Sequence, residues 1–203
     1  ARYAAGQGFS VTTLDYRGVG LSAPSSLRGF RMSYLDWGEL DLASAVDVLA
    51  RENKPLFLVG HSFGGHALGL LPNHHELAAA FILGTGAGWS GWMPKSEALK
   101  VEFMWNVVFP PLVAIKGYLP WSKLGMGEDL PIGVYKDWKR WCRHPHYFFD
   151  DPAMGHLRAR YADVTLPLVF ATATDDPWAA PSSRDAFAKF YKNARLERRD
   201  IKP

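Results

Sequence analysis

The chain has 203 residues, 48 % of them apolar, and a formal net charge of +3. That is enough for one domain with a sizeable core, and it excludes a disordered chain. The basic residues are scattered, and the densest group (Lys136, Lys139, Arg140, Arg143) is broken by Trp138 and Trp141, which excludes the continuous patch a nucleic-acid footprint needs.

Cys142 is the single cysteine, so there is no disulfide framework and a reducing, cytoplasmic setting is the default expectation. The first ten residues lack the apolar core of a signal peptide. The longest apolar run, 107–115, is nine residues with two prolines, against the roughly twenty a membrane span needs. Membrane contact is therefore not expected. The chain opens without methionine on what reads as the last turns of a helix, and it stops in or just after a possible strand. A piece of a longer chain is expected.

In chain order, 11–16 (VTTLDY) reads as a short buried strand, and Gly18, Gly20 and Ser22 then force a turn. From 36 to 52, Leu40, Ala43, Val46, Val48 and Leu49 follow helical spacing, with acidic residues early in the segment. The run 56–60 is strand, 63–71 helix and 78–86 strand, and the continuous apolar runs suit a parallel sheet covered on both faces. Residues 87–160 break the pattern: they hold six of the eight tryptophans and no clear strand. The alternation resumes with a strand at 166–176, a helix at 182–193 and a possible final strand from 195. This order predicts an α/β fold with a mostly parallel sheet, flanking helices and a helical insertion.

Gly60-His61-Ser62-Phe63-Gly64 is G-x-S-x-G at the junction of a predicted strand and a predicted helix. A serine at the tip of that turn stands clear of the sheet in a strained backbone conformation. Glycines two positions either side let strand and helix close up. The helix start then offers the Phe63 amide to an oxyanion. The bare motif is a weak signal, and its strand–turn–helix setting carries the weight.

With these residues in view, the chain resembles the α/β-hydrolase fold superfamily. Asp15-Tyr16-Arg17-Gly18-Val19-Gly20-Leu21-Ser22 resembles the turn after that family's fourth strand, GHSFGG (60–65) its nucleophile elbow, and TDDPWAAP (174–181) its acid-bearing loop. The tryptophan-rich block falls where the family inserts its lid. The resemblance implies core from 1–86 and 161–203 with a lid or cap over 87–160. It also implies Ser62 as nucleophile, Phe63 as an oxyanion amide, and Asp175 or Asp176 as the acid. Asp176, directly before Pro177, is favoured. Asp15 is read as fixing its turn, without a chemical role.

The family's order is serine, acid, histidine, yet none of the seven histidines (61, 66, 74, 75, 144, 146, 156) follows Asp176. His61 is read as a packing residue and His66 as buried against the sheet. The expected base lies beyond residue 203, and the family's second oxyanion donor before residue 1. The family also places its third strand between the fourth and the fifth. Without that strand the segment 11–16 has no pairing route to 56–60, so a longer protein or an exposed sheet edge is expected.

These readings predict a serine hydrolase acting on an ester, thioester or small amide with an apolar part. It needs no cofactor and no metal, and its partner is a small apolar substrate. A non-catalytic ligand- or partner-binding protein on the same fold is the alternative. An acyl-transferring enzyme is a third.

Overall fold

The computed structural model describes residues 1–202. Its centre is a four-stranded parallel sheet in the order β1 (Leu56–His61), β2 (Leu77–Leu83), β3 (Pro167–Ala173) and β4 (Arg195–Ile201). Parallel neighbours need crossovers. Here α3 (Phe63–Leu68) joins β1 to β2, and α8 (Pro181–Ala188) joins β3 to β4. The ladder runs His61–Leu83–Ala171–Arg199 across the four strands, so their C-terminal ends form one rim. Ahead of the sheet lie α1 (Arg2–Gly6) and α2 (Ala43–Ala50), the latter entered through a wide π turn, Trp37–Leu42.

The predicted strand at 11–16 does not form: those residues are irregular and mostly exposed. A strand needs a hydrogen-bonding neighbour, and this segment pairs with none of the four strands, although Leu14 and Tyr16 pack against the main core and Phe9 just before it meets Phe57 edge-on. β1 is therefore an edge strand, with Phe57 and Val59 52 % and 71 % exposed. The exposed sheet edge is as expected, whereas the expected burial of β1 on both faces is not found.

Between β2 and β3 the chain is helical. It forms α4 (Lys95–Phe103), a π turn (Met104–Val108), α5 (Phe109–Lys116), α6 (Ile132–Trp141) and α7 (Leu157–Ala162), with one antiparallel bridge, Leu119 to Leu130. From α4 to α5 the helix is unbroken, Lys95–Lys116. Pro110 and Pro111 open α5 directly after the π turn, where the wider winding accommodates residues that cannot donate a hydrogen bond.

By length and composition this 22-residue helix could cross a membrane, which the count of consecutive apolar residues did not reveal. In the fold only one side of it is buried, and the other side also carries apolar residues. Val101, Trp105, Phe109 and Val113 are buried, and Leu99, Phe103, Val107 and Ile115 are exposed.

Two apolar clusters result. The larger joins the sheet (Ile82, Leu168, Phe170), α3 and α8 to Trp141, Tyr147, Phe148 and Tyr161. The smaller holds Trp105, Phe109, Val113, Leu119, Trp121 and Tyr135, with Trp178 packed against it. The second half of the insertion thus belongs to the main core, and the first half builds its own.

Candidate active site

β1 ends at His61, and Ser62 makes the turn into α3 with φ +50° and ψ −104°. Positive φ is costly for any residue with a Cβ, by about 1–3 kcal/mol, and persists only where the surroundings enforce it. Three hydrogen bonds do so. Ser62 N–H donates to the Leu83 carbonyl (2.9 Å). The Ser62 carbonyl accepts from Gly65 N–H (3.1 Å) and from the Thr85 hydroxyl (2.6 Å). The serine itself is exposed.

The flanking glycines are not equivalent. A Cβ on Gly60 would lie 2.7 Å from the Gly64 carbonyl carbon, so strand and helix touch backbone to backbone there. A Cβ on Gly64 would meet nothing within 4 Å. The tight contact belongs instead to Gly65, whose Cβ would sit 2.5 Å from Ile82 Cγ2 and Thr85 Oγ1. The sequence reading placed the second steric demand one residue too early.

Phe63 starts α3, where the first amides have no carbonyl a turn behind them. Its ring is held edge-on by Tyr34, Trp37 and Tyr16 at centroid distances of 4.8, 5.2 and 5.3 Å. The turn at 15–22 supplies part of this clamp. Asp15 Oδ2 accepts from Leu21 N–H (2.9 Å), which fixes the turn as the sequence suggests. Arg17 pairs with Asp41 (2.7 Å), and its carbonyl accepts from the Trp37 indole (2.9 Å). Tyr16 stacks on Trp37, and burial with the nearby Asp41 charge pushes its phenol up to about 12.

The loop after β2 lies beside the elbow and is tied to it by His66 of α3. His66 is buried, as expected. Nε2 donates to the Gly86 carbonyl (2.9 Å), which leaves Nδ1 to accept from the Tyr34 hydroxyl (2.8 Å). Burial lowers its pKa to about 4, so the ring is neutral.

After β3, Asp176 and Asp175 occupy different surroundings. Asp176 Oδ1 accepts from the amides of Trp178 (2.8 Å) and Ala179 (2.9 Å), which locks the carboxylate. Its Oδ2 lies 3.7 Å from where a Gly84 Cβ would stand, at the sheet rim. Asp175 is exposed. One strand, β2, separates β1 from β3, so the ends that bear Ser62 and the Asp176 loop are two strand spacings, roughly 10 Å, apart.

His61 is exposed, not packed, and its Nε2 would lie 3.3 Å from the same Gly84 Cβ position. His146 is turned to Asp150 (3.0 Å). Two further side chains shape the rim without a sequence signal: Thr85, and Trp178, whose indole donates to Glu97 of α4 (2.8 Å). Both contacts join segments far apart in the chain. Cys142 is buried, which pushes its thiol well up. Among the described residues no group of three or more His, Cys, Asp or Glu side chains is placed to hold a metal ion.

Comparison with known proteins places this geometry. Among solved structures, a soluble variant of monoglyceride lipase from Saccharomyces cerevisiae overlays with a TM-score of 0.60 at 17 % identity, over 93 % of this chain and 66 % of that one.

 Est816, described as an N-acyl homoserine lactone degrading enzyme, overlays with a TM-score of 0.53 at 17 % identity, over 92 % of this chain and 72 % of that one. A monoacylglycerol lipase from Paleococcus ferrophilus matches more loosely, with a TM-score of 0.45 at 11 % identity over 80 % of this chain and 64 % of that one. The chain thus spans about two thirds of the length of these neighbours, whose low identity speaks for the fold alone. A comparison with curated protein sequences returns no match. The sequence profile of the Alpha/beta hydrolase family matches residues 1–199. The chain belongs to the alpha/beta hydrolase family.

Proposed function

We propose that the chain is a serine hydrolase of an ester, thioester or small amide with an apolar part, acting through an acyl-enzyme on Ser62. The observation that carries this reading is the exposed Ser62 held at φ +50° between β1 and α3. Strain of that kind has a use when a hydroxyl must stand clear of the sheet. Ser62 Oγ attacks the carbonyl carbon and its proton passes to an imidazole. The Phe63 amide stabilises the oxyanion, the imidazole gives its proton to the departing alcohol, thiol or amine as the tetrahedral adduct collapses to the acyl-enzyme, and water then releases the acid and restores Ser62. Asp176 is the acid, because Oδ1 is anchored by two amides and Oδ2 is left to hold an imidazole. The insertion 87–160 serves as lid. The substrate is a small apolar molecule, and the reaction as read needs no cofactor.

A fluorophosphonate probe tests this reading. It is expected to modify the chain at Ser62 and to spare Ser62→Ala. Absence of labelling, in this chain and in one extended on both sides, would reject it. That result would favour the second reading, a binding protein on the same fold.

A further inference from the structure

The unbroken helix Lys95–Lys116 leaves large apolar side chains in solvent. Leu99, Phe103, Val107 and Ile115 are each more than half exposed, and the exposed Pro111 completes their regular spacing of every fourth residue. In a plain α-helix such a spacing drifts by about 40° a step, which would spread the row from Leu99 to Ile115 across roughly 160°. The π turn at Met104–Val108 takes up about one extra residue and turns the row back by roughly 100°. Leu99 and Ile115 therefore end about 60° apart, and the row stays on one face. The buried row (Val101, Trp105, Phe109, Val113) has the same spacing and fills the smaller cluster. A long apolar face on the outside of a domain marks a place of contact.

The exposed face is symmetric about its middle. Outward from Val107, Phe103 and Pro111 stand four residues away, and Leu99 and Ile115 eight. We propose that two copies of the chain meet on this face, their helices antiparallel about a twofold axis at Val107. That axis sets Leu99 against the partner's Ile115, Phe103 against the partner's Pro111, and Val107 against its own copy, the self-complementary pattern of a closed dimer. Charge favours the same direction. The half of the helix that ends in Lys116 carries no acid, and antiparallel pairing lays it along the half that carries Glu97 and Glu102. Parallel pairing would set Lys116 against Lys116 and align the two helix dipoles. The helix of 22 residues is about 33 Å long, so the contact belongs to the small, reversible class, with a dissociation constant on the order of 10–100 µM. Neither Ser62 nor Asp176 takes part, so the dimer stands apart from the hydrolase reading.

Sedimentation equilibrium tests this on the chain carrying Val59→Lys, a charge that blocks pairing at the exposed β1 edge. Between about 1 and 500 µM a monomer–dimer equilibrium is expected. Adding Val107→Glu sets two carboxylates against each other and should weaken the dimer about tenfold or more. The melting temperature at low concentration should not change, because Val107 is exposed. A monomer throughout the range, growth beyond a dimer, or a dimer that Val107→Glu leaves intact would overturn the proposal. Disulfide trapping gives a second readout that reports the register. Cys142 is buried, so oxidation of the parent chain should give no covalent dimer. Val107→Cys should cross-link to its own copy about tenfold faster than Lys192→Cys, a cysteine at an exposed position outside the helix. Leu99→Cys should cross-link when mixed with Ile115→Cys and not alone. Equal rates at 107 and 192, or self-linking at Leu99→Cys, would overturn the antiparallel register. Vesicles of equal parts phosphatidylglycerol and phosphatidylcholine decide against a different occupant. A chain that stays monomeric in solution yet sediments with these vesicles, and loses that binding in Val107→Glu, would assign the face to a lipid surface and reject the dimer.

Discussion

The imidazole of His61 and the carboxylate of Asp176 converge on Gly84. Nε2 and Oδ2 lie 3.3 and 3.7 Å from the position a Cβ would take there, and Gly84 itself has φ +56°. The residue before Ser62 and the loop after β3 thus share one patch of the rim. Successive strand residues point to opposite faces, so His61 is expected to line this patch and not to serve Ser62. His61→Gln should leave fluorophosphonate labelling of Ser62 within about threefold, the scale of less than 1 kcal/mol. A loss beyond a hundredfold would make His61 the base.

The two motif glycines should respond in opposite ways. Gly60→Ala drives a methyl against the Gly64 backbone at 2.7 Å and should cost about 2–3 kcal/mol. Gly64→Ala meets open space inside α3 and should stabilise by roughly 0.5–1 kcal/mol. Urea unfolding of the two variants checks the contrast.

Ser62 holds a conformation that favours glycine. Ser62→Gly should raise stability by about 1 kcal/mol while abolishing labelling. An unchanged or lowered urea midpoint would mean that the turn is not strained.

His66 makes stability depend on pH. Its folded pKa of about 4 lies below the ordinary 6.5. As pH falls past 6.5 the unfolded chain takes up the proton first, so this stabilisation is full above 6.5 and drains away toward pH 4. Between pH 7 and 4.5 the loss should be about 2–3 kcal/mol. His66→Gln, whose amide can still donate to Gly86 and accept from Tyr34, should lose less over the same interval. An equal loss in both proteins would clear His66 of the effect.

The fold and the strand–turn–helix at Ser62 are readable because their signals are local. Alternating strand and helix runs, glycines around a serine, and Asp15 ahead of its two-glycine turn all declare themselves within a few residues. The segment 11–16 misled because β-branched residues announce a propensity, whereas a strand requires a neighbour, and pairing is not local. The sequence favours Asp176 over Asp175 only through the adjacent Pro177, and the bonds it accepts from the amides of Trp178 and Ala179 depend on the folded shape of the loop. Likewise Thr85 on Ser62 and Glu97 on Trp178 span 23 and 81 residues, distances over which no pattern in the chain reports a contact.

The two borders of the sheet are guarded unequally. β4 carries Glu197, Arg198, Arg199 and Asp200, charges that discourage a stranger from docking. β1 shows Phe57 and Val59 and no charge between Leu56 and Gly60, a template onto which another extended chain can zip. Concentrated solutions should therefore scatter light increasingly over time, and a single gatekeeper, Val59→Lys, should keep them clear.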